Sequence, residues 1–167
     1  MAEGNGNGSA GATEQAAQQR FQIAKVYLRD ISFEAPGAPE VFRETWQPQI
    51  DVELGTQHRA LDEGAYDVLL TVTVTARNNE RTAYLCEIKQ GGVFRIEGFP
   101  EADLGRVLGA YCPAQLFPFA REAINDMVVK GGFPQLLLAP VNFESLYQRQ
   151  REASDTGGNG AGDGQGQ

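Results

Sequence analysis

DVLLTVTVTA, Asp67 to Ala76, puts Val68, Leu70, Val72 and Val74 on one side of an extended chain and Leu69, Thr71, Thr73 and Thr75 on the other. A period of two carried by β-branched residues is the pattern of a half-buried strand. Asn78-Asn79 follows as a turn, and TAYLCEIKQ returns as the partner strand of a hairpin. Upstream, QIDVEL alternates through Ile50, Val52 and Leu54, and FQIAKVYLRDI is a fourth strand with apolar residues on both faces in places. Strands that follow one another without helical crossovers predict an antiparallel sheet.

Helical spacing takes over downstream. Leu104, Val107, Leu108 and Tyr111 recur at i, i+3, i+4 and i+7 until Pro113, where an interruption is expected. Phe117, Ala120, Ile124 and Met127 or Val128 renew the stripe, with Pro118 in a first helical turn and Lys130-Gly131-Gly132 as the stop. Asn142 offers an N-cap for a last helix carrying Phe143, Leu146 and Tyr147. The expected class is α+β, a four-stranded antiparallel sheet with helices packed on one face.

The chain has 167 residues and a formal charge of −8, which suits one domain and argues against nucleic acid, whose phosphates need clustered Lys and Arg. A basic protein surface is the complementary partner. Residues 1–19 and 152–167 are rich in Gly and polar residues and bury too little surface to offset their ordering entropy, so both are expected as disordered tails around a domain at 20–151. The N-terminus has no basic, apolar-cored leader, and no run approaches the roughly 18 apolar residues that span a bilayer. A reduced intracellular chain is expected, with Cys86 and Cys112 as buried free thiols.

No enzyme constellation emerges. His58 is the sole histidine and falls in the polar stretch GTQHRALDEG, read as a loop; Asp62-Glu63 falls there too. Cys112 lacks a neighbouring base, and the glycine pairs QGG and KGG fit neither dinucleotide nor P-loop spacing. Catalytic residues, metal ligands and cofactors are therefore expected to be absent. An enzyme built on Asp30, Glu34 and Cys112 would require a defined small-molecule pocket.

Two surfaces remain as candidates. Asp30 and Glu34 bracket Phe33 at a strand end, and on the hairpin strand Tyr84, Cys86 and Ile88 share one face while Leu85, Glu87 and Lys89 share the other. An acidic patch with an apolar spot on an open sheet suits docking of a basic protein. Phe33, Phe42 and Trp46 cluster outside any periodic segment, either closing the sheet edge onto the helices or lining a groove for extended apolar polypeptide.

DISFEAPGAPEVF, WQPQIDVEL, YLCEIKQGGVF, LGAYCPAQLFPFAREAI and GGFPQLLLAPVNFESLY occur in order between Phe21 and Tyr147, and together they resemble SecB, the protein-export chaperone family. The resemblance implies a cytosolic, ATP-independent holdase that keeps unfolded precursors of exported proteins translocation-competent and delivers them to the SecA motor. It implies a homotetramer, a dimer of dimers. By the same resemblance Asp30, Glu34, Leu85 and Glu87 dock the basic, zinc-carrying C-terminal segment of SecA, the zinc being SecA's own. Cys86, Ile88 and Gln90 match positions linked to tetramer assembly, and Lys89 between them lessens the local acidity. Phe33, Phe42 and Trp46 are the candidates for the client groove. The alternative is a SecB-like chaperone dedicated to one partner such as an antitoxin.

Overall fold

The computed structural model describes residues 18–157. Four strands, β1 (Arg20–Glu34), β2 (Gln49–Asp62), β3 (Ala65–Asn78) and β4 (Arg81–Glu97), precede three helices, α1 (Glu101–Arg106), α2 (Cys112–Lys130) and α3 (Phe143–Gly157). The strands form one antiparallel sheet in the order β1-β4-β3-β2. The α+β class expected from the sequence is what the chain adopts.

The alternation in β3 sets the core face: Val68, Leu70, Val72, Val74 and Ala76 are fully buried beneath the helices, while on the other face Asp67 and Leu69 are buried as well. Their neighbours on β4, Tyr84, Cys86, Ile88 and Phe94, complete the sheet's contribution to the core. From above, α2 lowers Cys112, Leu116, Ala120, Ile124 and Val128 onto this surface. Burial at roughly 25 cal/mol per Å² of apolar surface makes that interface the main source of stability.

The apolar residues on both faces of β1 have a simple cause. The register against β4 shifts between Ile23 and Lys25 and again between Leu28 and Asp30. Each bulge inserts a residue and reverses which parity faces the core. Phe21 and Ile23, then Val26 and Leu28, then Ile31 and Phe33 thus all lie opposite core-facing positions of β4.

Several expectations need correction. β2 is much longer than QIDVEL, and His58 stands on it as an exposed strand residue; only Glu63 and Gly64 form the turn, Gly64 at φ +71°. The β3–β4 turn lies one residue later than expected, at Asn79 and Glu80, both with positive φ (50° and 61°), while Asn78 still belongs to β3. The helix does not stop at Pro113. It runs on through a π-helical turn, Val107–Tyr111, into α2. The wider turn just ahead of Pro113 spares the helix the clash and lost bond that proline otherwise causes. Pro118 lies inside α2, where the burial of Leu116, Phe117 and Ala120 on the sheet holds the helix through it.

The helix ends are as the residues suggest. Gly132, at φ +88°, closes α2 with the Phe133 N–H donating to the Val128 carbonyl at 3.2 Å. Asn142 caps α3, its Oδ1 accepting from the Ser145 N–H at 3.0 Å. α3 then continues to Gly157, beyond the expected boundary at 151, so residues 152–157 are helical rather than a loose tail. The disorder expected for residues 1–17 and 158–167 lies outside the described residues.

Candidate functional sites on the two faces of the sheet

The face turned away from the helices carries the carboxylates. Cross-strand pairing sets Glu34 beside Leu85, Ser32 beside Glu87 and Asp30 beside Lys89. Asp30 and Glu34 are exposed, and Leu85 and Glu87 half-buried, so the structure brings these four residues together on one open surface. Glu87 is not free: Lys89 Nζ sits 3.5 Å from its Oε1, and Thr73 Oγ1 donates to its Oε2 at 3.2 Å. Among the described residues neither Glu34 nor Asp30 is in an ion pair, so both keep their charge available. Beyond Thr73 the row continues to Glu53 on β2, which widens the acidic surface, whereas Asp51, in the row of Thr75, is paired with Arg77 at 3.0 Å.

Cys86, Ile88 and Gln90, which the resemblance links to tetramer assembly, point the other way. All three are buried on the opposite face, in the core of the single chain. Gln90 Nε2 donates to the Tyr27 carbonyl at 2.8 Å, beside the second bulge of β1. Within the chain these three side chains are spent on packing and on the β1–β4 contact.

The helical side carries the aromatic cluster. Phe33, Phe42 and Trp46, close together in sequence, converge on two distant rings that sequence reasoning did not assign to the site, Tyr84 and Phe133. Phe133 lies 5.0 Å from Phe42, 5.3 Å from Trp46, 4.8 Å from Tyr84 and 6.3 Å from Phe33, centroid to centroid. Phe33 and Trp46 both stack with Tyr84, at 5.7 and 6.3 Å. Tyr84 could be placed on the core face from its strand parity; Phe133 follows the helix stop with no periodic signal. The cluster closes the edge of the core, as one reading had it, and also keeps an open surface: Phe42 is 50% exposed and Trp46 half-buried. Gly131 allows this approach, since a Cβ there would lie 2.3 Å from Phe33.

Neither thiol is placed for nucleophilic work. Burial pushes Cys86 up to about 11 and Cys112 up to about 12, so both stay protonated at neutral pH. Among the described residues no group of His, Cys, Asp and Glu is arranged to hold a metal ion. No helix of the described residues is long and apolar enough to cross a membrane.

Residues 14–154 match the family model described as Preprotein translocase subunit SecB. The chain belongs to the SecB family. It is a family of protein-export chaperones, not of enzymes. The chain is 78% identical over 157 residues to the protein-export protein SecB of Halorhodospira halophila, covering 94% of this chain and 91% of that relative. It is 57% identical over 148 residues to the protein-export protein SecB of Alkalilimnicola ehrlichii, covering 89% and 78%. Among solved structures, a SecB-like chaperone of Mycobacterium tuberculosis, Rv1957, in complex with a ChAD peptide from the Rv1956 HigA1 antitoxin, shares the fold. Its TM-score is 0.62 at 18% identity, with 73% of this chain and 91% of that one covered.

Proposed function

We propose that this SecB-family chain is an ATP-independent holdase of the cytoplasm, which keeps export precursors unfolded and hands them to the SecA motor. The observation that carries the reading is the partition of one sheet between two chemically different surfaces. Exposed aromatic rings on the helical side offer sequence-tolerant apolar contact to any extended chain. Carboxylates on the open side offer charge to a basic partner. Phe33, Phe42 and Trp46, joined by Tyr84 and Phe133, are the client surface; Asp30, Glu34, Leu85 and Glu87 are the SecA-docking surface.

Selectivity needs no sequence code, because native proteins hide what the aromatic surface binds. A homotetramer, a dimer of dimers, would present several such surfaces to one long client and gain avidity from their linkage. Cys86, Ile88 and Gln90 would support that assembly by shaping the sheet. Dedication to a single antitoxin is the less favoured alternative, since the antitoxin-bound neighbour is only 18% identical while the 78% identical relative is an export protein.

The test mixes the purified protein with an export precursor diluted from denaturant and measures mass by light scattering. The expected result is a soluble complex of one tetramer with one client chain, absent when the client is native. A monomer that binds neither form would overturn the reading.

A further inference from the structure

Trp46 lies ahead of β2, which begins only at Gln49, so the sheet ladder does not hold it. Its ring packs on Tyr84 and Phe133, and its flanking backbone is held by one side chain. Asn78, the last residue of β3 and 1% exposed, turns its carboxamide onto the backbone on both sides of Trp46. Its Oδ1 accepts from the Gln47 N–H at 3.0 Å, and its Nδ2 donates to the Thr45 carbonyl at 3.1 Å. The same Nδ2 lies 3.3 Å from Glu44 Oε2, which also accepts from Asn79 Nδ2 at 2.9 Å, while Arg81 pairs with the other carboxylate oxygen. A buried amide with donor and acceptor both engaged is costly to disturb, because each freed partner loses its only compensation for leaving water.

We infer that Asn78, with Glu44, is a positioning residue for the client surface: it holds Trp46 and the neighbouring Phe42 in place before any client arrives. The inference rests on the aromatic cluster being that surface. Extended apolar segments then meet a surface already formed, and binding is spared the ordering of a rotamer-rich loop. Loop and hairpin tip, more than 30 residues apart in sequence, act as one unit.

Trp46 is the only tryptophan in the chain, so its fluorescence reports the loop directly. Asn78→Asp keeps the acceptor for Gln47 but removes the donor to Thr45 and sets a carboxylate against Glu44. The expected result is easier acrylamide quenching of Trp46 and a several-fold loss of affinity for a labelled unfolded precursor, at unchanged tetramer mass and SecA affinity. Adding Glu44→Gln removes the repulsion and restores a donor–acceptor pair between 44 and 78 in the reverse sense, so both signals should recover in part, the Thr45 carbonyl still lacking its donor. Should Asn78→Asp fail to fold, Asn78→Ser, which removes the donor to Thr45 without adding a charge, carries the test with the same readouts. Unchanged quenching overturns the inference. So does freed Trp46 with unchanged client affinity, provided that Phe42→Ala lowers that affinity. If Phe42→Ala also binds clients at the wild-type level, the client-surface reading itself fails, and the inference with it.

Discussion

The phenol of Tyr27 on β1 reaches across β4 to donate a 2.6 Å hydrogen bond to Oδ1 of Asp67 on β3. Arg59 of β2 donates to the other oxygen of the same carboxylate at 3.1 Å, so the buried Asp67 ties the two edge strands to the centre. Burial, then the bond to Asp67, raises the Tyr27 phenol above its ordinary value, which keeps it a donor. The crossing is possible only because position 91 is glycine: a Cβ there would lie 2.2 Å from Tyr27 Cζ. Gly91→Ala should therefore cost about 1–3 kcal/mol through displacement of the ring. Tyr27→Phe, which loses one bond but leaves Asp67 paired with Arg59, should cost about 1 kcal/mol. Urea unfolding at matched protein concentration checks the order.

Asp30→Asn with Glu34→Gln should weaken SecA binding by about 1 kcal/mol per charge at low salt, and less as salt screens the contact. Affinity for an unfolded client should not move, because these residues lie on the far side of the sheet from the rings. Titration calorimetry at two salt concentrations measures the first, and light scattering with client the second. Equal loss of both activities would contradict the separation of roles.

Gly109→Ala sets two effects against each other. Helix propensity alone would reward alanine by about 0.8–1.0 kcal/mol. Yet a Cβ at 109 would lie 2.6 Å from Cδ2 of Tyr147, whose ring docks α3 on the π-helical turn. The steric cost should win, and the variant should lose stability and release α3 to proteolysis. A rise in melting temperature with intact protection would show that Tyr147 moves aside freely.

Alkaline pH should unfold the protein through its buried weak acids. Tyr84 is raised to about 12, Cys86 to about 11 and Cys112 to about 12, in each case by burial, from ordinary values of 10.0, 9.0 and 9.0. A raised value means that the folded state keeps a proton that the unfolded state releases. The contribution is fully present below pH 9 and is lost as pH climbs towards 11 and 12. The urea midpoint should be flat from pH 7 to 8.5 and fall above it. Iodoacetamide should leave both thiols untouched in native protein at neutral pH and modify both in urea.

How much of this was legible in the sequence depended on whether a residue's neighbours lay along the chain or across it. Val68 to Val74 and Tyr84 to Ile88 declared their faces through simple alternation, and with them the side taken by Leu85 and Glu87. Asp30 and Glu34 could be grouped with those two as one acidic patch, but the residue-by-residue pairing stayed hidden because two bulges in β1 destroy its periodicity. Pro113 misled because a local rule against proline was overridden by a π-helical turn that makes room for it. The aromatic surface was half visible: Phe33, Phe42 and Trp46 stood out, whereas Phe133 is recognisable only when the end of α2 is seen over the sheet. Asn78 read as half of a turn because nothing local reveals that its amide is spent on a loop 31 residues earlier.

Phe33 and Glu34 are joined by one peptide bond and belong to opposite faces of β1. Either surface can thus be altered by exchanging one amino acid for another, and the other need not notice. Length is a different matter: a codon inserted between Asp30 and Glu34 would send a carboxylate inward and a phenyl ring outward. The bulges near Ala24 and Arg29 mark how the strand already accommodates such additions, each with a compensating kink. Over evolutionary time each face of the segment from Asp30 to Glu34 should change in composition independently of the other, and the segment should hardly change in length.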